Sequence, residues 1–258
     1  MNPRLRIGKV GIDRCGIDEA TGRIIAAALE GRGCDVHLVN ASSIALADDD
    51  ATYADALNAG WLNLPDGRPL GWASRMFGDD PPLGQVRGAD LMRSVFAAGA
   101  GSGVRHFLLG STEQTLATLD RSLTAANPGV SIVGSESRPF RPLGRSEQQA
   151  EMDRIRQSGA NVVWISLGSR YQDLEASSLA RDLDAVCIGI GAAFEFIAGN
   201  FREAPRLVRM LGLEWAFRLA QEPARLWRRY LFGNIGFIRA AIVGRRRDAG
   251  GAAGDGHG

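Results

Sequence analysis

The segment Leu64-Pro65-Asp66-Gly67 sets one carboxylate between a residue that fixes φ and a residue that lets the backbone turn. It follows Trp61–Leu64, a short apolar run that reads as a strand. Asp66 would therefore be held at a strand's carboxyl end, where open α/β sheets bind ligands and where a carboxylate can take a proton from an attacking hydroxyl. Pro-Asp-Gly is also an ordinary turn tripeptide, and the local sequence is compatible with both readings. A second group of residues lies near the end of the chain, where Arg218, Arg225, Arg228 and Arg229 alternate with Trp215, Phe217, Trp227 and Tyr230. Guanidinium groups suit bidentate contacts to phosphate, and basic residues mixed with aromatics also suit an anionic lipid surface. Aromatics at helical spacing equally suit a core.

Two glycine-bearing connections could receive an anion. Phe107-Leu108-Leu109 runs into Gly110-Ser111-Thr112 and then a helix, which aims backbone N–H groups and a positive helix end at whatever sits above the strand. The same Gly-Ser-Thr sequence can be no more than a structural cap. Gly189-Ile190-Gly191-Ala192-Ala193-Phe194 has two of the glycines of a dinucleotide fingerprint, lacks the third, and comes too late in the chain to open such a fold. That argues against an NAD-linked oxidoreductase. Asp48-Asp49-Asp50 has the spacing of a metal-binding carboxylate pair, but no strand precedes it to fix the side chains, so a solvated turn is expected. Cys15, Cys34 and Cys187 show no metal-site spacing with one another or with His37, His106 and His257. Neither a metal nor an organic cofactor is expected, and free thiols fit a reducing cytoplasm.

These residues need a scaffold, and the apolar pattern supplies one. Strands are expected near Leu5–Ile12, Cys34–Asn40, Trp61–Leu64, Val104–Leu109, Val130–Gly134, Asn161–Leu167 and Ala185–Ile190. Helical periodicity falls between them at about 18–31, 42–58, 69–77, 89–100, 112–126, 147–158 and 173–180. Alternation at this length predicts an α/β fold, a Rossmann-like parallel sheet with helices on both faces. Loops are expected at Gly78–Gly88 and Arg138–Arg145. After Pro205 the pattern is helical only. The expected division is an α/β catalytic domain over 1–200, a helical, Arg- and aromatic-rich appendage over 201–243, and a disordered tail over 244–258.

Charge follows the same division. The 258 residues sum to a net charge of +1. Residues 1–201 hold 19 basic and 24 acidic side chains, a balance of −5, while 202–247 hold 11 basic and 3 acidic, a balance of +8. The C-terminal fifth is the part built to meet anions. With one Lys beside 29 Arg, clustering rather than abundance carries that inference. No apolar run approaches the ~18 residues of a membrane span, and the amino-terminal residues lack the apolar core of a signal peptide.

In order along the chain, the stretches Asn40-Ala41, Leu64–Gly67, Arg87-Gly88-Ala89-Asp90-Leu91, Phe107–Gly110, Leu167-Gly168, Gly189–Phe194 with Ala198-Gly199, Arg202–Pro205, Gly212–Trp215 with Arg218, Glu222-Pro223, Arg225 and Arg229-Tyr230 resemble the WecG/TagA/CpsF glycosyltransferases over about residues 5 to 240. That resemblance implies inverting, metal-independent transfer of a sugar from a UDP-sugar to a polyprenyl-diphosphate-linked acceptor in envelope or exopolysaccharide synthesis. It places the enzyme in the cytoplasm, peripheral to the inner face of the plasma membrane. It makes Asp66 the catalytic base and gives the arginines of the appendage to the donor diphosphate; the expected donor or acceptor contacts are Asn40, Gly110, Gln172, Gly189, Gly191, Arg218, Arg225 and Arg228. An anionic membrane surface is the expected macromolecular partner; nucleic acid is not, and a homo-oligomer is left open. The chain departs from the family pattern twice: Ser169-Arg170-Tyr171-Gln172-Asp173 stands where Pro-Lys-Gln-Glu is common, and Leu38 stands where Thr is frequent. The rival reading is a non-catalytic nucleotide-sugar-binding component of a polysaccharide assembly complex.

Overall fold

The computed structural model describes residues 4–139, 141–205, 207–208, 213–221 and 233–242. Six parallel strands form one sheet, in the order β4 (Leu62–Pro65), β3 (Cys34–Val39), β8 (Val186–Gly189), β7 (Val162–Ser166), β5 (Arg105–Gly110), β6 (Ser131–Glu136). Val162-Val163-Trp164-Ile165 and Val186-Cys187-Ile188 are buried throughout because helices cover both faces, and such strands read as unbroken apolar runs. The first face packs on α1 (Ile17–Leu29), α5 (Gly88–Gly99) and α6 (Glu113–Ala126). The second packs on α7 (Arg145–Ser158) and α8 (Ser169–Asp182). The Rossmann-like expectation holds.

The sequence reading differs from the structure at three places. Leu5–Ile12 is a two-stranded antiparallel hairpin, β1 (Leu5–Ile7) and β2 (Val10–Ile12), because the chain reverses at Gly8, whose φ of +60° favours glycine. The single helix expected over 42–58 is two, α2 (Ala41–Asp49) and α3 (Ala51–Ala59). Asp50 takes extended backbone between them and caps α3 by accepting from the Tyr53 N–H at 3.0 Å. Finally, α8 starts four residues earlier than its apolar periodicity suggests, right after Gly168, whose φ is +92°.

The C-terminal segments meet the same body. A third apolar cluster joins the hairpin, α2, α3 and α4 (Arg68–Met76) to Phe237, Ala240 and Ala241 of a helix over 233–242. A Cβ at Gly236 would lie 2.9 Å from Ala45 Cβ, so glycine lets that helix seat closely on α2. The helix over 233–242 thus buries side chains in the core of what precedes it. The tail over 244–258 lies outside the described residues.

Candidate functional site

From β3 the chain steps outward to β4 on one side, while β8, β7, β5 and β6 lie on the other. A crevice opens at such a reversal, beyond the carboxyl ends of the strands. Asn40 follows β3, Asp66 follows β4 and Ile190-Gly191 follow β8, so three of the expected site positions arrive at one place. The Asp66 N–H donates to Val39 O at 2.8 Å, the Val86 N–H donates to Pro65 O at 2.8 Å, and Gly67 turns the chain at a φ of +90°. The Pro-Asp-Gly turn is real, and it aims the carboxylate into the crevice.

Asp66 separates two cavities that share Asn40, Asp66, Ile190, Ala192 and Arg218. The larger, about 1090 Å³, lies over the ends of β8, β7 and β5 and is lined by Ser111, Thr112, Ser166, Gln172 and Gly191 among others. The smaller, about 490 Å³, is mostly apolar: Trp72 and Met76 of α4, Phe196, Trp215, and Phe237 and Ile238 of the last helix. Burial pushes the Asp66 carboxyl up to about 7; Glu214 adds to the shift, while Arg87, Arg218 and a hydrogen bond from Asn40 oppose it. Asn40 has a second task, since its Oδ1 accepts from the Ser42 and Ser43 N–H groups at 3.0 and 3.2 Å and caps α2.

The expected binding residues divide by what they touch. Gly191 lines the larger cavity, and its N–H donates to Gln172 Oε1 at 3.0 Å, so Gln172 braces a loop with its carbonyl. Gly110 and Gly189 allow close packing beneath the cavity: a Cβ at Gly110 would lie 2.3 Å from Ser166 O, and one at Gly189 would lie 2.8 Å from Asp173 Oδ1. Arg218, in α10 (Glu214–Gln221), faces both cavities and stacks on Phe196 with 5.2 Å to the ring centroid. It makes no ion pair among the described residues. Arg225 and Arg228 lie outside them. Leu38 lines the larger cavity and packs on Gly88, where a Cβ would lie 2.8 Å from Leu38 Cδ1.

Arg87 and Glu214 fall within stretches that carry the family resemblance, but the sequence reading gave neither a role. Arg87 Nη2 donates to Glu214 Oε1 at 2.7 Å and Nη1 to Asp90 Oδ2 at 3.0 Å, which ties the start of α5 to α10 beside Asp66. The partners are 127 residues apart, so no local pattern could announce the pair. On the far rim, Arg138 is already engaged by Glu151 and Glu175, and Arg141 by Glu147. The acidic triplet is structural as well: Arg239 pairs with Asp48 at 3.0 Å and Asp49 at 2.9 Å, and Arg170 pairs with Asp50 at 2.7 Å. Among the described residues no three His, Cys, Asp or Glu side chains gather as a metal site.

A parallel α/β domain with a ligand-sized crevice at its topological switch point, and a carboxylate at the floor, has the layout of a nucleotide-dependent transferase. The sequence model of the Glycosyl transferase WecG/TagA/CpsF family matches residues 5–250, nearly the whole chain, and the protein belongs to that family. It is accordingly a glycosyltransferase, of the hexosyltransferase kind, serving cell-wall polysaccharide synthesis. The family implies a nucleotide-sugar donor and a lipid-linked acceptor. No helix among the described residues is long and apolar enough to cross a membrane.

Proposed function

We propose that this enzyme transfers a hexosyl group from a UDP-sugar to a polyprenyl-diphosphate-linked saccharide, with inversion, with Asp66 as general base and without a metal ion. The observation that carries the proposal is the position of Asp66 between two cavities of unlike chemistry. Inversion by single displacement needs the nucleophile and the leaving group on opposite sides of the anomeric carbon. In this reading the donor occupies the larger and more polar cavity, and the acceptor enters through the smaller, mostly apolar one. The acceptor hydroxyl loses its proton to Asp66 as its oxygen bonds to the anomeric carbon. The bond from that carbon to the β-phosphate oxygen breaks, and UDP leaves with the bonding pair. A carboxyl raised to about 7 suits a base at neutral pH, because about half of it is ionised there and it is basic enough to accept the proton.

The leaving diphosphate requires positive charge. Arg218 faces the shared wall, and the N-terminal ends of α6 and α8 abut the larger cavity through Thr112 and Gly168-Ser169. Arg225 and Arg228 are proposed to complete the clamp. The mouth of the apolar cavity supports a peripheral membrane location: Trp72, Met76, Ile238 and Ile242 line it and are exposed, with Arg68 alongside. Apolar side chains next to cations suit an anionic bilayer surface. The proposed organisation is a catalytic α/β body over 1–200 completed by a lipid-facing appendage over 201–243.

The deciding experiment offers the full-length protein a panel of UDP-sugars with polyprenyl-diphosphate saccharides and follows UDP release, with and without EDTA. Acceptor-dependent release that survives chelation is expected. UDP binding with no release from any pair would favour the non-catalytic reading, and activity restored only by Mg²⁺ or Mn²⁺ would remove the arginine clamp.

A further inference from the structure

A second group of ionisable side chains reaches from the lining of the larger cavity, at Asp173, into the core beneath it, and the proposed reaction does not use it. Asp35 and His37 are two residues apart on β3 and so share a face of the sheet. Asp173 and Ser177 of α8 and Tyr53 of α3 come down on that face. His37 and Tyr53 are fully enclosed and Asp173 nearly so.

His37 Nε2 lies 3.0 Å from Asp35 Oδ2, and Ser177 Oγ donates to the same oxygen at 2.6 Å. Asp35 Oδ1 accepts from the Trp61 N–H at 2.9 Å. On the other side, His37 Nδ1 faces Asp173 Oδ1 at 3.6 Å, and the Tyr53 hydroxyl donates to Asp173 Oδ2 at 2.5 Å. The His37–Asp173 contact is an ion pair without a hydrogen bond, and neither atom has another partner. Space is reserved for the group at two glycines: a Cβ at Gly60 would lie 2.6 Å from the His37 ring, and one at Gly189 would lie 2.8 Å from Asp173 Oδ1.

Burying two carboxylates and an imidazole is a costly way to fill a core, and apolar side chains of similar volume would serve stability as well or better. What ionic groups supply is a defined relative position. Here that position belongs to the first turn of α8. Asp173 follows Gln172, whose Oε1 accepts from the Gly191 N–H at 3.0 Å, while Ser166 Oγ donates to Gly191 O at 2.7 Å. The Gly191 loop is thus held between the end of β7 and the residue adjoining the buried cluster, and Gln172, Gly191 and Ser166 all line the larger cavity.

We propose that His37, bridging Asp35 and Asp173, is a positioning residue that locks the first turn of α8 to β3 and thereby sets the Gln172–Gly191 wall of the donor cavity. Tyr53 completes the device from α3. Neither His37 nor Tyr53 lines either cavity, so both act through Asp173. The inference rests on the larger cavity being the donor site. Burial alone would lower the His37 pKa, but the Asp173 and Asp35 carboxylates outweigh it and push it up to about 9, so the bridge stays charged at neutral pH.

Full-length H37Q and Y53F are the test, read by amide hydrogen exchange and by calorimetric UDP binding. In H37Q, exchange over residues 168–174 and 189–193 should quicken about tenfold while β5 and β6 keep their protection. UDP affinity should fall about three- to thirtyfold. Y53F removes one hydroxyl without altering packing, and it should move both readouts in the same direction by less; it also carries the test if H37Q does not fold. Variants that melt at lower temperature but match wild type in exchange over both segments and in UDP affinity would overturn the proposal, leaving the cluster as core filling. If wild type itself does not bind UDP, the donor assignment fails, and exchange in the two segments still decides whether the lock exists.

Discussion

Asp66 and the Asp35–His37–Asp173 cluster show two opposite ways of keeping charge inside one sheet end. At Asp66 the carboxylate is taken from water and left short of compensation: its strongest neighbour beside burial is another acid, Glu214, and the nearby Arg87 already serves Glu214 and Asp90. In the cluster burial also opposes charge, yet hydrogen bonds from His37, Ser177 and the Trp61 N–H hold Asp35 well below the ordinary carboxylate range. The first arrangement keeps a group reactive and the second keeps a group still. A third case marks the limit: His106, stacked on Phe96 with ring centroids 3.9 Å apart and no acid beside it, is pushed by burial down to about 3 and stays neutral. Partner chemistry, and not depth, separates His37 from His106.

The sharpest way to break the comparison is Asp66→Asn, which keeps shape and removes the proton acceptor. Transfer should fall about 10²–10⁴-fold with UDP binding near wild type. Turnover above about a tenth of wild type would show that Asp66 only turns the chain.

Next in size are the neighbours that tune it. Arg218→Ala should raise the KM for the donor about tenfold, because a charge-assisted contact to diphosphate is lost. It should also move the acid limb of kcat/KM, expected near pH 7 in wild type, to higher pH, since Arg218 favours the ionised carboxylate. Glu214→Gln should move that limb the other way, both by removing a like charge and by freeing Arg87. Limbs that stay in place in both variants would show that some group other than Asp66 titrates in the pH profile.

Stability against pH compares the two regions directly. Both Asp66 and His37 have folded pKa values raised above the ordinary 3.8 and 6.5, so each stabilises the fold less as pH rises, in different windows. The ionised Asp66 carboxylate is the unfavourable state. Asp66→Asn should therefore melt close to wild type at pH 4, gain a few degrees by pH 7, and keep a constant advantage above it. The imidazolium of His37, faced by Asp35, Asp173, Tyr53 and Ser177, is the favourable state. His37→Gln should show its full deficit below pH 6.5, and the deficit should shrink as pH rises through about 9. Thermal melts from pH 4 to 10 separate the two windows; a pH-independent deficit in His37→Gln would mean that its role is steric.

How much of this could be read in advance follows from range. The strands were legible because a strand buried on both faces has to be apolar, as in Val162–Ile165. Asp66 was legible because Pro65 and Gly67 mark the turn within three residues. The hairpin at Gly8 was overlooked, although the apolar phase shifts there from odd positions (Leu5, Ile7) to even ones (Val10, Ile12), because the two short runs read together as one apolar stretch. The α2–α3 break was hidden because Ala-rich sequence runs on both sides of Asp50, whose cap is visible only once the Tyr53 N–H is placed. Arg87 with Glu214, and His37 with Asp173, are joined by the fold across about half the length of the chain. Stretches of family pattern contain three of these residues, but no local spacing reveals that they pair.

The smallest expected effect concerns the acidic triplet that the sequence offered as a metal ligand. Asp48 and Asp49 are held by the exposed Arg239, and an exposed pair of this kind contributes little to stability because solvent screens it. Asp50 differs, because it caps α3 and meets Arg170. The double variant Asp48→Asn, Asp49→Asn should therefore keep turnover within about twofold of wild type and lose at most a degree or two in Tm. Its sensitivity to EDTA should equal that of wild type. Asp50→Ala should lose more stability, through the lost cap, without a matching loss of donor affinity. If the double variant instead abolished transfer and Mn²⁺ in excess restored it, the carboxylates beside Arg239 would be working ligands. Charge at the end of α2 would then belong with Asp66 among the reactive groups, rather than with Asp35 among those that hold the fold in place.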